Sequence, residues 1–165
     1  MKFIFTPMDE ANARSIQSWS YEVPYNIYNW TAEDDISELL DRRSPHFAVR
    51  DEHDELIGFF AYGSSALVWD SGEPHLFSEN KTITIGLGMR PDLTGKGLGL
   101  AFVNAGLDFA RQQFKPDYFR LFVLMFNQRA IRIYEHVGFQ RVGIYVQPNA
   151  NGDGEFLEMR KAIKS

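Results

Sequence analysis

The sequence predicts one mixed α/β domain over residues 1–165, with helices packed on a largely antiparallel sheet. Its 165 residues, 44% of them hydrophobic, suffice for one substantial core, and no linker or internal repeat divides them. Short apolar runs separated by turns predict antiparallel strands, whereas longer runs with helical spacing predict helices. Together these patterns give the order β-α-α-β-β-β-α-β-α-β-β.

The N-terminal half is predicted to form a strand, two helices and a two-stranded meander. Thr31 is the expected N-cap of the second helix, because Asp34 and Asp35 follow in its first turn. Residues 66–80 give no clear element. The predicted elements are a strand over residues 2–6, a helix over 8–18, a helix from Thr31 to about residue 41, and strands over 47–50 and 56–63.

The C-terminal half alternates strands and helices before a final hairpin. Gly86 and Gly88 interrupt an apolar strand, which indicates a bulge or a close backbone approach. Asn127 is the expected N-cap of the last helix and Gly138 its C-terminal glycine. The predicted elements are a strand over residues 81–89, a helix from near Gly97 to Lys115, a strand over 119–126, a helix from Asn127 to Gly138, and strands over 139–146 and 154–159 joined by a turn at 149–154.

Composition excludes several classes of function. The chain has no cysteine, so disulfides, thiolate metal sites and cysteine nucleophiles are absent. The four histidines lack ligand-like spacing, so no metal is expected. The N-terminal apolar run is too short for a secretory signal, and no stretch suits a membrane span, so we expect a cytoplasmic protein without membrane partners. A net charge of -5 argues against nucleic-acid binding and leaves a cationic substrate such as an amine open.

Residues 94–99, Thr-Gly-Lys-Gly-Leu-Gly, form a glycine-rich turn between a predicted strand and a predicted helix. Glycines let the backbone approach an anion, and the free N–H groups and macrodipole of a helix N-terminus favour negative charge. The spacing excludes a Walker A loop, since Arg90 stands where its first glycine belongs and Gly97 where its Ser or Thr belongs. A dinucleotide fingerprint also fails, because its third glycine would fall at Leu100. The residues of this turn alone therefore indicate either another kind of phosphate site or a glycine-rich turn that merely ends a strand.

Two segments together resemble the GNAT superfamily of N-acetyltransferases. Residues 90–99 resemble its acetyl-CoA loop, a Gln or Arg, two residues, Gly, one residue, then Gly or Ala, with Thr94 departing from the first position. Residues 127–139 resemble its segment Asn-x-x-Ala-x-x-x-Tyr-x-x-x-Gly-Phe. The closing hairpin is similar to that of the ribosomal-protein alanine acetyltransferase branch. The resemblance implies the GNAT fold and acetyl-CoA as cosubstrate.

The resemblance implies acetyl transfer from acetyl-CoA to a primary amine, either a peptide N-terminus or a small amine. Transfer would be direct, because no cysteine can carry the acetyl group. Thr84 and Phe122 occupy two positions where many family members place a carboxylate, so a CoA-binding regulatory module without catalysis is the alternative. The implied cofactor-binding residues are Leu87, Met89, Thr94, Gly95, Lys96, Gly97, Leu98, Gly99, Leu100, Asn127, Ala130 and Tyr134.

Tyr134 is the candidate catalytic acid, because the resemblance implies that its hydroxyl lies near the CoA sulfur, where a tyrosine suits protonation of the leaving thiolate. The alternative is a core tyrosine on the apolar stripe of its helix. Asn127 is either a helix cap alone or also a contact to the pantetheine arm. The general base is either Glu22 or a water relay.

Residues 19–30 form an aromatic-rich segment that corresponds to the acceptor side of the family's cleft. Tyr21, Tyr25 and Tyr28 are the candidate substrate-binding residues, because their rings can hold a cationic amine by cation–π contact. The alternative is a hydrophobic lid packed on the sheet. The sequence leaves the oligomeric state open, with a homodimer through the apolar edge strand of the closing hairpin as one arrangement.

Overall fold

The computed structural model describes residues 1–31, 34–147 and 154–163. The mixed α/β class with a largely antiparallel sheet is confirmed. The helices and strands within these ranges are β1 (Ile4–Pro7), α1 (Glu10–Gln17), β2 (His46–Arg50), β3 (Leu56–Tyr62), β4 (Phe77–Ser78), β5 (Thr82–Met89), α2 (Gly99–Phe114), β6 (Tyr118–Leu124), α3 (Gln128–Val137), β7 (Gln140–Val146) and β8 (Glu155–Ala162).

The sheet has the strand order β1-β2-β3-β5-β6-β8-β7, and the two-residue β4 pairs with the start of β5. Every pairing is antiparallel except that of β5 with β6, which is parallel. This parallel pairing joins only residues 82–84 to residues 118–120. Beyond it β5 stays paired with β3 and β6 with β8. The sheet therefore opens into a gap between the C-terminal halves of β5 and β6.

The core lies between the sheet and α2, and the close approach of these two layers fixes the helix. Phe102 and Leu107 on α2 are buried against Phe60 on β3 and its neighbours. A Cβ built on Gly106 would lie 2.2 Å from the Phe60 ring, so only glycine fits there. The buried Tyr62 hydroxyl donates to the Gly106 carbonyl at 2.8 Å. These contacts hold α2 with its N-terminus beside the gap.

The predicted ends of α3 are confirmed. The Asn127 Oδ1 atom accepts a hydrogen bond from the backbone N–H of Ala130 at 3.2 Å, which is an N-cap. Gly138 closes the helix with φ of +115°, a conformation that glycine adopts without strain. α2 ends at Lys115, immediately before Pro116, as the sequence predicts.

The prediction of a second helix after Thr31 is wrong. In the described part of this segment a short 3₁₀ turn at Ser37–Leu40 stands in its place, and another 3₁₀ turn, Tyr25–Tyr28, precedes Thr31. The helical turn that follows begins at Ser37, with Ile36 as its N-cap, and the Thr31 N–H donates to Asp34 Oδ2 at 2.7 Å. Asp35 similarly accepts from the N–H of Ser37 at 2.9 Å. Both aspartates thus bind local backbone in turns, and this competes with helix formation.

Two smaller expectations are refined, and a third lies mostly outside the described residues. α2 begins at Gly99 rather than near Gly97, because Gly97 has φ of +78°. β5 pairs with β3 in regular register through both of its glycines, so they do not form a bulge there. A Cβ on Gly88 would lie 2.4 Å from the Phe59 ring, which is the close approach that the sequence left as the alternative. Residues 148–153, most of the predicted hairpin turn, lie outside the described residues.

His46 on β2 is buried, and among the described residues its Nδ1 atom has no hydrogen-bond partner. Burial disfavours the charged imidazolium and lowers the pKa of His46 from its ordinary 6.5 to about 4. In the unfolded chain His46 becomes protonated below about pH 6.5, whereas in the folded chain it becomes protonated only near pH 4. His46 contributes stability that is present above pH 6.5 and is lost as the pH falls.

We expect the free energy of unfolding of the wild type to fall by about 3 kcal/mol more than that of His46→Gln between pH 7 and pH 4. Chemical denaturation at each pH measures this difference. His53→Gln, which changes an exposed histidine, should follow the wild type. Parallel pH dependences for the wild type and His46→Gln would contradict the assignment.

Candidate active site

A cavity of about 600 Å³ fills the gap between the diverging halves of β5 and β6. The start of α2, the start of α3 and residues 19–30 complete its wall. All three predicted substrate-binding tyrosines line it. Of the twelve predicted cofactor-binding residues, all but Lys96 and Leu98 line it, and Lys96 is exposed. The fold therefore gathers both sets of predicted residues around one cavity.

The backbone of β5 presents hydrogen-bonding groups to this cavity. The Arg90 N–H donates to the Ile57 carbonyl at 2.8 Å, so these two residues form a hydrogen-bonded pair of the antiparallel ladder. Such pairs alternate with pairs whose N–H and C=O groups point away from the partner strand. In this register Leu87 and Met89 are of the second kind. Their backbone groups point away from β3, towards the gap where β6 has separated.

The glycine-rich turn leads directly into α2 at the edge of the cavity. Gly95 and Gly97 have φ values of +72° and +78°, which glycine alone adopts readily. No side chain caps α2, so the N–H groups of its first turn are not occupied by a side-chain acceptor. The Thr94 hydroxyl donates to the Pro91 carbonyl at 2.8 Å and holds the turn together. This geometry suits an anion held by backbone amides.

Arg129 on α3 is a site residue that the sequence reasoning missed. A Cβ built on Gly95 would lie 3.2 Å from Arg129 Nη1, so the guanidinium lies against the glycine-rich turn. The guanidinium carbon is also 4.4 Å from the Tyr25 ring centroid, a cation–π geometry. Arg129 stands at a variable position between Asn127 and Ala130, so only the fold could bring it to the turn.

Tyr134 lines the cavity from α3, with its ring edge-to-face against Phe139 at 6.1 Å. Burial, with a smaller effect of nearby Tyr28, raises the pKa of Tyr134 above its ordinary value. The hydroxyl therefore keeps its proton through neutral pH and is able to donate it. Asn127 beside it both caps α3 and donates from Nδ2 to the Tyr28 hydroxyl at 3.2 Å.

The aromatic segment, residues 19–30, closes one side of the cavity. It contacts the C-terminal end of β5 and the residues that follow β6. The Tyr21 hydroxyl donates to the Met89 carbonyl at 2.7 Å, and burial raises the pKa of Tyr21 to about 12. Tyr25 and Tyr28 pack on Phe126, with ring centroids 5.8 and 6.2 Å away. The rings of Tyr25 and Tyr28 are therefore packed as in a hydrophobic lid, and they also form part of the cavity wall.

The structure does not bring Glu22 to the cavity, and its side chain is exposed. Thr84 is buried and its hydroxyl accepts from Arg120 Nε at 3.0 Å, whereas Phe122 lines the cavity. Within the described ranges, no aspartate or glutamate lines the cavity and no group of acidic and histidine side chains is arranged to hold a metal. Among the described residues, no carboxylate of the cavity wall is therefore placed to accept a proton from an amine.

Comparison with known proteins gives a consistent result. Residues 11–139 match the model of the Acetyltransferase (GNAT) family. The chain is 25% identical over 136 residues to a spermidine N(1)-acetyltransferase of Vibrio cholerae, covering 82% of this chain and 72% of that protein. It is 32% identical over 140 residues to a mycothiol acetyltransferase of Acidothermus cellulolyticus, covering 76% of this chain and 41% of that protein.

A solved structure shows the same fold over nearly the whole chain. It is a chimera of the Vibrio cholerae spermidine N-acetyltransferase, with a TM-score of 0.75 and 19% identity. The match covers 98% of this chain and 96% of that chain. Separately, no helix within the described ranges combines the length and apolar character that crossing a membrane requires.

Proposed function

Because this chain belongs to the acetyltransferase (GNAT) family and is an acetyl-CoA-dependent N-acetyltransferase, we propose that its β5–β6 gap is where an amine attacks the acetyl thioester. This proposal rests mainly on the backbone N–H and C=O groups of Leu87 and Met89. The register with β3 directs these groups into the gap. A pantetheine arm, an extended amide chain, can pair with those groups as a strand would. The uncapped start of α2 lies at the end of the same cavity for the phosphates.

Arg129 supplies the cation that the glycine-rich turn lacks. The family pattern places Gln or Arg where this chain has Thr94, and the Thr94 hydroxyl is engaged with Pro91. The Arg129 guanidinium reaches the same turn from α3, where a Cβ built on Gly95 would lie 3.2 Å from Arg129 Nη1. Guanidinium groups bind phosphate oxygens through charge-assisted hydrogen bonds. We therefore assign pyrophosphate binding to the backbone of the turn together with Arg129.

The chemistry assigned to the site is a direct transfer. The amine nitrogen forms a bond to the thioester carbonyl carbon, and the carbon–sulfur bond breaks. The Met89 N–H is the donor assigned to the carbonyl oxygen as negative charge develops there. The Tyr134 hydroxyl gives its proton to the leaving thiolate, and the raised pKa of Tyr134 keeps that proton available. Before attack the ammonium group of the acceptor loses one proton to water and becomes the neutral amine, since Glu22 lies away from the cavity. The second proton lost from the nitrogen after attack passes through water and restores the Tyr134 hydroxyl.

The alternative function and the two candidate classes of acceptor differ in their support. The regulatory module without catalysis gains nothing from the comparisons, because both relatives are named as acetyltransferases. A peptide N-terminus stays the second candidate acceptor, on the resemblance of the closing hairpin to the ribosomal-protein alanine branch. The small amine is favoured, because the 25% identical relative is named for spermidine.

A homodimer through β7 is the arrangement we propose for two copies of the chain. β7 is the edge strand of the sheet, so one side of its backbone lacks a neighbouring strand in the described structure. Its apolar side chains Val142, Ile144 and Val146 are 55%, 59% and 61% exposed. Pairing two such edges would bury these side chains and complete the ladder.

Arg129→Gln should raise the Kd for acetyl-CoA about tenfold or more, because one charge-assisted contact to phosphate is lost. Isothermal titration calorimetry measures it. The control Arg132→Gln changes an exposed arginine on the same helix and should leave Kd unchanged. Binding of acetyl-pantetheine, which lacks the phosphates, should be equal in all three proteins. Failure of the folded wild type to bind acetyl-CoA would overturn the proposed site.

Tyr134→Phe should lower kcat roughly 10²-fold, the usual contribution of a positioned general acid, while the Kd for acetyl-CoA stays within about twofold. Free-thiol release gives kcat and calorimetry gives Kd. Tyr118→Phe, on an exposed residue of β6, is the matched control and should behave as the wild type. Unchanged kcat in Tyr134→Phe would remove the assigned acid role.

Ile144→Lys should convert a dimer into a monomer, because a charge on the apolar edge cannot be buried against its own copy. Light scattering should give twice 19.0 kDa for the wild type and 19.0 kDa for the variant. Leu40→Lys, which changes another partly exposed apolar residue, should remain dimeric. A monomeric wild type would rule out the β7 interface.

A further inference from the structure

We infer that the acceptor is a monoamine with an apolar or aromatic body, and that a second ammonium group on the acceptor is disfavoured. The inference rests on the proposed function, since it concerns what occupies the cavity between β5 and β6. It goes beyond that function by naming the chemical class that the charges and surfaces of the cavity select.

Among the described residues, the cavity wall offers a second cation no carboxylate as a partner. Within the described ranges, no aspartate or glutamate lines the cavity, and Arg129 is the charged side chain present there. A second ammonium group would lose its hydration on entering without gaining a carboxylate, which is unfavourable. An alkyl or aryl group in the same place loses no such hydration and gains apolar contact.

The carboxylates on the sheet beside Phe122 are already neutralised by arginines. Glu158 lies opposite Phe122 in the pairing of β6 with β8, and its carboxylate is 2.9 Å from Arg160. Glu79 contacts Arg120 at 3.4 Å and Arg160 at 3.3 Å. These two carboxylates and two guanidinium groups carry no net charge together, so the cluster does not attract a cation into the cavity.

Arg120 also occupies an aromatic face that would otherwise attract an ammonium group. Its guanidinium carbon lies 5.6 Å from the Phe122 ring centroid and 5.8 Å from that of Trp69. The Arg120 side chain is only 6% exposed. Since this guanidinium already lies against the Phe122 ring, that ring face is not free for an ammonium group of the acceptor. Phe122 also replaces the carboxylate that many family members place at this position, and a carboxylate there could pair with an ammonium group.

The remaining wall is suited to an apolar body. Trp19 and Phe59 pack together with ring centroids 6.4 Å apart, and both line the cavity with Trp30 and Phe156. Aromatic side chains bury large areas and contribute most of the binding energy in such pockets. The body of the acceptor therefore lies among rings, and its amine is directed towards Met89 and Tyr134.

The test compares two amines of equal size that differ in one end group. Hexylamine and 1,5-diaminopentane have the same number of heavy atoms, but a methyl group in the first is an ammonium group in the second. We expect kcat/KM for hexylamine to be at least about tenfold higher, with acetyl-CoA saturating and free-thiol release as the assay. We also expect 2-phenylethylamine to be accepted at least as well as hexylamine.

A charge variant identifies the cause of this preference. Phe122→Glu places a carboxylate in the cavity wall and should reduce the hexylamine to diaminopentane ratio tenfold or more. Phe122→Gln makes a change of nearly the same shape without charge and should keep the wild-type ratio. An equal ratio in the Glu and Gln variants would show that charge at this position does not select the acceptor, and would overturn the inference.

Calorimetry with acetyl-CoA on the same wild-type protein distinguishes a failure of the proposed function from a failure of the inferred acceptor class. Absence of binding overturns the proposed function itself. If acetyl-CoA binds but diaminopentane, spermidine or a short alanine peptide amide has a higher kcat/KM than hexylamine, the proposed function stands and the acceptor class is overturned. Turnover of hexylamine and 2-phenylethylamine above these three amines supports the inference.

Discussion

The parallel pairing of β5 with β6 extends over only three residue pairs, and the rest of the site depends on where it stops. A strand in the interior of a sheet normally has both rows of backbone groups satisfied. From Ile85 onward β5 keeps only the row that faces β3. Leu87 therefore presents its backbone donor and acceptor, and Met89 its N–H, to a cavity instead of to a neighbouring strand, while the Met89 carbonyl accepts from the Tyr21 hydroxyl. A ligand that resembles a strand completes the sheet, which links the architecture of the protein directly to the chemistry of its cosubstrate.

The parts of the site that lie close together in sequence could be predicted from it. The glycine-rich turn and the start of α2 are consecutive, as are Asn127 and Tyr134 on one helix, so the resemblance located both. Arg129 could not be found in the same way, because its role depends on how α3 packs against the turn at Gly95. The distribution of charge around Phe122 was equally hidden, since Arg120, Glu79 and Arg160 come from three separate segments.

The fold was predicted best in α3, where apolar periodicity and caps agreed, and in α2 and the strands of the core, where the apolar pattern was strong by itself. It was predicted wrongly after Thr31, where a cap residue and acidic residues suggested a helix start. There the side chains of Asp34 and Asp35 bind backbone N–H groups in turns, and Leu39 is the one buried hydrophobic residue among residues 37–40. Helix signals in polar sequence do not suffice without an apolar face to bury, because short helices gain most of their stability from packing.

Residues 19–30 are fastened to both sides of the opening in the sheet. The Tyr21 hydroxyl holds the Met89 carbonyl at the end of β5, and the Tyr28 hydroxyl accepts from Asn127 at the start of α3, just after β6. The segment thus connects the two sides of the opening. Tyr21 and Tyr28 set both the width of the opening and the shape of the acceptor side of the cavity. A substitution in this segment that changes the acceptor preference would therefore also change the distance between the ends of β5 and β6. Because the cosubstrate occupies the opening between these strands, its binding would change as well.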